Sequence, residues 1–333
     1  MAAAPALKFL SPAWFSIVMG LSGLALAWRR AVPLMGEPAL ALSIALGGLA
    51  AAVFLVLAGL SVLRLQRHPE AWAEDLRHPV RHAFVATLPV SLILLGTLGV
   101  ALDGPGALAE AVWWAGSLGQ LAVTVWVLSR WWAGNRAGGL QWATVTPVLI
   151  IAVVGNVLVP LAGVELGHAE WAAAQFGIGL LFWPLVMALL LVRIASQGLW
   201  PERLMPSLFI LIAPPAVIGL SALALGAPAR VGWMAWGVAL ACFLWVATQG
   251  QRIVSQAFSV GHWAVSFPLA AFAGLTLELG RHGSGGPMPV FGPLLLAFAS
   301  VIVLGLSMGT VRGLRQRTLL APEPVATITP ISG

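Results

Sequence analysis

Ten stretches of this chain each run for roughly twenty residues almost without a charge, the length an α-helix needs to cross a bilayer core about 30 Å thick. They lie near 12–32, 40–63, 80–101, 108–129, 142–163, 171–192, 205–225, 231–250, 262–280 and 290–311. A membrane β-barrel would show segments of about ten residues with alternating polarity, whereas these runs are continuously apolar. A water-soluble fold would need polar cover, yet 60% of the 333 residues are hydrophobic and only 8% are charged, against about 25% charged in an ordinary soluble domain. The chain therefore reads as an all-α integral membrane protein of ten transmembrane helices. The membrane domain is expected over 12–312, after a short N-terminal segment, 1–11, and before a Pro- and Thr-rich tail, 313–333, expected to be disordered.

The net charge of +6 does not point to nucleic acid, because the basic residues are scattered over short connections and form no stripe or arm. They do set an orientation. The N-terminus, the connections after even-numbered spans and the C-terminus hold Lys8, Arg64, Arg67, Arg77, Arg81, Arg130, Arg136, Arg193, Arg203, Arg252, Arg312, Arg315 and Arg317, and the opposite side holds Arg29, Arg30, Arg230 and Arg281. Positive charge is retained on the cytoplasmic side, so both termini are expected in the cytoplasm of a bacterial-type inner membrane. The pair Arg29–Arg30 runs against that rule and is not explained by it. With no tyrosine in the chain, the interfacial aromatic belt falls to tryptophans near span ends, among them Trp28, Trp113, Trp132 and Trp200.

Proline divides the spans into two classes. A proline inside a helix removes a donor and bends the axis, so membrane helices keep it where geometry is needed. The odd-numbered spans carry Pro12, Pro89, Pro147, the pair Pro214–Pro215, and Pro268; small residues follow, at Gly20, Gly96, Gly155, Gly219 and Gly274. Among even spans only the sixth has a proline deep in its interior, Pro184. One such residue would be an ordinary kink; five at corresponding positions argue for a shared role. The expected architecture is five helical hairpins, odd members inside around a lumen and even members outside against lipid.

Function in membrane proteins concentrates at intramembrane ionisable groups, and these are scarce. The six histidines fall in connections or at span ends, so no haem ligation and no zinc site is expected, and the single Cys242 excludes a disulfide within the chain. No cofactor is called for. Glu278, three residues before Arg281, reads either as a proton-coupling carboxylate or as half of a helix-end ion pair. No nucleophile and base stand together, so an enzyme is not expected. A lumen lined by small, apolar and hydroxyl residues suits passive conduction, which needs weak binding and easy exit. Coupled transport would call for a titrating group at mid-depth.

Three motifs add a resemblance. Pro12-Ala13-Trp14-Phe15-Ser16-Ile17-Val18-Met19-Gly20 with Trp28-Arg29, then His78-Pro79-Val80-Arg81, then His262-Trp263-Ala264-Val265-Ser266-Phe267-Pro268 resemble, in order, the first, third and ninth helices of the tellurite-resistance/dicarboxylate transporter (TDT) family. That family takes in TehA-type proteins and the slow anion channels (SLAC-type) of plants. The resemblance implies a homotrimer in membrane lipid, each protomer with its own pore inside five helices of quasi-fivefold symmetry. It implies permeation by small inorganic anions such as chloride and nitrate, or by small carboxylates. It also implies a phenylalanine across the pore at mid-membrane, which maps onto Phe267. Beside this gate, the expected pore-lining and kink residues are Pro12, Phe15, Gly20, Pro89, Gly96, Pro147, Gly155, Pro214, Pro215, Gly219, Ser266, Pro268 and Gly274. Phe15, Phe258 and Phe272 are lesser candidates for the gate. His262 departs from the family's aromatic at that position and is a candidate for pH modulation. The expected function is a phenylalanine-gated anion channel. The alternative is a proton-coupled C4-dicarboxylate, sulfite or tellurite transporter, and the third class is a membrane enzyme or sensor.

Overall fold

The computed structural model describes residues 6–134, 139–282 and 287–321, and every regular element among them is a helix. Arg136 and the expected disordered tail beyond 321 lie outside the described residues. Nine of the described helices are long and apolar enough to cross a membrane: α1 (Pro12–Met35), α2 (Glu37–Arg67), α3 (Arg81–Asp103), α4 (Ala107–Trp131), α6 (Ala169–Gln197), α7 (Glu202–Ala224), α8 (Ala229–Ala247), α9 (Val260–Arg281) and α10 (Met288–Arg315). Between α4 and α6 lies a shorter apolar helix, α5 (Leu149–Gly163). The sequence led us to expect a full crossing over 142–163. The helix instead begins at Leu149, and Trp142–Thr144 forms only a separate 3-10 turn.

Burial separates the long helices into two sets. In α1, α3, α7 and α9, 61–89% of the most apolar window is buried inside the protomer, whereas in α2, α4, α6, α8 and α10 the share is 22–33%. Such helices are apolar all round, and one side of an outer helix faces lipid or another protein. Each odd-numbered helix packs on the even-numbered one that follows it. The odd-numbered helices also touch in the order α1, α3, α5, α7, α9 and back to α1.

The two sets differ in build as well as in position. The outer helices are continuous α-helix, 19 residues in α8 and 31 in α2. Four inner ones begin as 3-10 helix and then convert: Pro12–Phe15 into Ser16–Met35, Arg81–Ala86 into Thr87–Asp103, Glu202–Ile212 into Ala213–Ala224, and Val260–Val265 into Ser266–His282. Pro89, Pro214, Pro215 and Pro268 fall within the first three residues of the α-helical parts. There a missing N–H and a fixed φ disturb least.

The exception is α5, where α-helix over Leu149–Val154 gives way to a 3-10 stretch, Gly155–Leu158, before Pro160. A break at membrane depth frees carbonyls that lipid cannot satisfy, so neighbouring protein must. Gln120 of α4 donates from Nε2 to the carbonyls of Ile151 and Ala152, both at 3.0 Å. Thr124 Oγ1 donates to Ala152 O at 2.8 Å, Ser221 Oγ of α7 to Val157 O at 2.6 Å, and Trp113 Nε1 to Val159 O at 3.0 Å. Trp113 is thus fully buried and Trp200 nearly so, with its Nε1 donating to Val145 O at 2.8 Å. Both depart from the interfacial role expected of them, because an indole N–H can serve a buried carbonyl as well as a headgroup.

Candidate functional site

The face along which Ile150, Val154 and Leu158 repeat every four residues points into the centre of the inner helices, where a cavity of about 60 Å³ lies. Its walls come from all five odd-numbered helices and from none of the even ones. Ser16 and Met19 come from α1, Phe84 and Val90 from α3, Ile210, Ala213, Pro214 and Val217 from α7, and Trp263, Ala264, Phe267 and Pro268 from α9. No ionisable side chain lines it, and Ser16 is the one polar residue in the wall. A chamber of this kind holds no fixed charge for an ion to bind tightly. A narrow apolar passage of this kind disfavours water.

Phe267 is 8% exposed and occupies the second residue of the α-helical part of α9. Its ring lies over Gly23 of α1, where an added Cβ would come within 2.7 Å of Cδ2. One turn away, Gly20 receives Ser266, whose Cβ would stand 2.7 Å from a side chain at that position. Ser266 itself donates to Trp263 O at 2.6 Å, as expected of a buried hydroxyl on a helix.

The other expected residues divide between the chamber wall and the contacts that hold it. Gly155, Pro214, Phe267 and Pro268 border the chamber. Gly96 sits against Trp113 and Ala109 of α4, Pro89 against Gly119 of α4, and Gly219 between Leu275 of α9 and Ala235 of α8. Phe15 is buried edge-on to Phe54 of α2, with ring centroids 5.7 Å apart. Pro12 and Phe15 offer carbonyls to Thr87 and Ser91 of α3 at 2.7 and 3.2 Å. Pro147 is buried two residues ahead of α5, and Pro215 is buried beside Pro214 in α7. Gly274 lies beside Arg30 of α1. Phe272 is buried against Trp236 and Phe243 of α8, and Phe258 stacks on His262 with centroids 5.5 Å apart. His262 is spent on the start of α9, where its Nδ1 accepts from the Ser259 backbone N–H at 3.1 Å. It does not border the chamber.

Charge is held at the two ends. Where α2 gives way to α3, Asp75 of the short helix Pro69–Arg77 meets Arg64 at 2.8 Å and Arg81 at 3.1 Å, and Glu74 meets Arg81 at 2.6 Å. The Arg81 hydrogen bond holds the Glu74 carboxyl below its ordinary range. Burial pushes Asp75 up despite the two guanidinium groups. At the far end of α1 and α9, Glu278 stands between Arg281 at 3.3 Å and Arg30 at 3.8 Å. Among the described residues no three His, Cys, Asp or Glu converge as metal ligands would.

Sequence reasoning passed over Met19, Phe84, Val90, Val217 and the α5 face, as well as Gln120 and Asn156. The four-residue spacing of Ile150, Val154 and Leu158 was the available signal for the wall. For Gln120 it was an uncharged amide alone in an apolar helix. Asn156 donates to Thr124 Oγ1 at 2.8 Å and belongs to the same repair of α5.

Residues 10–311 match the family described as voltage-dependent anion channel (SLAC1). The chain is 26% identical over 266 residues to the tellurite resistance protein TehA homolog of Haemophilus influenzae, covering 79% of each. It is 23% identical over 262 residues to the S-type anion channel SLAH2 of Arabidopsis thaliana, covering 78% of this chain and 50% of that longer one. It is 22% identical over 338 residues to the sulfite efflux pump SSU1 of Arthroderma otae, covering 90% of this chain and 88% of the relative.

Proposed function

Because the chain belongs to the voltage-dependent anion channel (SLAC1) family, we propose that it conducts small anions passively along the axis of its odd-numbered helices, with Phe267 as the gate. The observation that carries this reading is the chamber wall, which draws on all five of those helices, carries no charge and includes the Phe267 ring. An uncharged wall neither traps the anion nor competes for it. Selection against cations then falls to the excess of positive charge on the whole protein and to helix-end dipoles. Chloride and nitrate are the expected permeant ions, and no cofactor takes part.

In this reading α5 is a tenth, broken crossing. The ten helices form five hairpins of quasi-fivefold symmetry in the inner membrane, with both termini cytoplasmic. Three protomers assemble, each with its own pore, through the apolar faces that α2, α4, α6, α8 and α10 leave exposed. Gly20, Gly23 and the 3-10 starts with their prolines bring the inner helices close enough to shape the lumen.

Anion currents of the wild type and Phe267→Ala, with chloride and nitrate on opposite sides of a bilayer, test the gate. A large anion-selective gain in the variant is expected, and equal currents from two correctly assembled proteins would contradict it. The fungal relative's name makes anion export coupled to a gradient the second reading. A pH gradient that drives sulfite or a C4-dicarboxylate uphill in proteoliposomes would favour that carrier over the channel.

A further inference from the structure

The pair Arg29–Arg30, which runs against the charge distribution of the rest of the chain, separates in the fold. Arg29 donates from Nε to the carbonyl of Ala101 in the last turn of the neighbouring inner helix α3, at 2.7 Å. That is a helix-end cap. Arg30 lies against α9 instead. Its Cδ and Nη1 lie 3.8 Å from the position a Cβ would take at Gly274 of α9, and Leu220 of α7 closes the same spot at 3.8 Å. Side chains of α1 and α7 therefore come together over Gly274 of α9.

The register explains how a long cation fits there. Arg30 follows Gly23 by seven residues on α1, and Gly274 follows Phe267 by seven on α9, so both pairs share a helix face. In one layer α9 supplies the ring and α1 the glycine. Two turns further, about 10 Å along the axis, α1 supplies the guanidinium and α9 the glycine. Arg30 thus stands in the same file as the proposed gate, toward the end of α1 remote from Pro12.

Its hydrogen bonding is incomplete. The side chain is 20% exposed, and among the described residues its one hydrogen bond is a long one, 3.4 Å from Nη1 to Leu26 O in its own helix. The Glu278 carboxylate lies 3.8 Å from Nε, beyond hydrogen-bond length, and leans closer to Arg281. Glu165, on the connection after α5, is within electrostatic reach. A guanidinium has five donors in a planar fork, and an intramembrane cation placed beside a pathway marks the route of its counter-ion.

Resting on the conduction reading above, we propose that Arg30 is an anion-docking site at this mouth of the pore, for small planar monovalent oxyanions of the nitrate type, with halide held more weakly. A planar oxyanion accepts two parallel N–H bonds from the fork, which a spherical halide cannot. Glu278 is the resident competitor. It neutralises Arg30 when the site is empty and lowers its hold on the visiting ion, which keeps the site weak enough to release.

The test is equilibrium binding, independent of any current. The chloride-35 NMR line width is measured for the full chain in detergent, titrated with nitrate, for wild type, Arg30→Gln, Arg30→Lys and Glu278→Gln. The wild type broadens the line and nitrate reverses it. Arg30→Gln removes the nitrate-reversible part, Arg30→Lys keeps chloride but narrows the nitrate preference, and Glu278→Gln lowers the half-saturating nitrate concentration severalfold. Unchanged nitrate-reversible broadening in Arg30→Gln overturns the proposal, and so does its absence from both wild type and Glu278→Gln. If Phe267→Ala gives no current while Arg30-dependent binding persists, the conduction reading fails and the docking site stands.

Discussion

At the scale of single residues, the inner helices pack by setting a large side chain of one against a glycine of another. Phe267 over Gly23 is the pairing with the most direct consequence. If the ring occludes the proposed pore, its area sets the leak. Phe267→Leu should therefore give a current between those of wild type and Phe267→Ala, read in the same bilayer under the same gradient. The motif around Phe267 was legible in the sequence as an aromatic beside a proline. Its partner was not, since nothing local to Gly23 says which distant ring will cover it. His262 shows the converse. It stands out in the sequence as a titratable group beside a candidate gate, yet in the fold it caps the start of α9 and stacks on Phe258. His262→Ala and wild-type currents are therefore expected to share one pH profile; a shift of the profile in the variant would restore histidine to a gating role.

At the scale of elements, the fifth helix shows how polar groups hold an apolar bundle together. Gln120 is fully buried, and its amide donates to two carbonyls next to the break in α5. Gln120→Leu keeps the volume but removes both bonds, leaving Ala152 O to Thr124 alone, so a loss of about 1–3 kcal/mol is expected. It would be read as a lower midpoint of thermal unfolding in detergent, with α-helix content unchanged before the transition. The clasp between α2 and α3 makes a second prediction. Arg64 and Asp75 are both almost wholly buried, and removing one member of such a pair strands the other. Asp75→Ala should cost about 3–5 kcal/mol, whereas Glu74→Ala, at an exposed carboxylate, should be close to neutral. Equal melting curves for Asp75→Ala and wild type would mean that Arg64 finds water in the folded state. Neither contact is legible in sequence. An apolar run announces that a helix forms but not where it breaks, and Asp75 and Arg64 read simply as a connection and a helix end.

At the scale of the whole molecule, the arrangement to test is the proposed topology and assembly. With Cys242 replaced by Ala, single cysteines at Lys8 and Asp103 should differ in intact spheroplasts. An impermeant maleimide is expected to reach Asp103→Cys and not Lys8→Cys, and the reverse pattern would invert the orientation. Native mass spectrometry should find three chains, and a monomer in gentle detergent would count against the shared-face assembly. What the sequence determined alone is the solvent of the fold, its helical class and the division of helices into two sets. Those follow from run length, from charge depletion and from proline spacing, which are local properties that a bilayer reads one segment at a time. Only the tertiary structure decided which faces meet at the centre. It set Phe267 over Gly23 and Arg30 beside Gly274, and it brought Gln120 to the break in α5. A lumen and a repaired helix are made by side chains that lie far apart along the chain, and close packing alone fixes which of them come into contact.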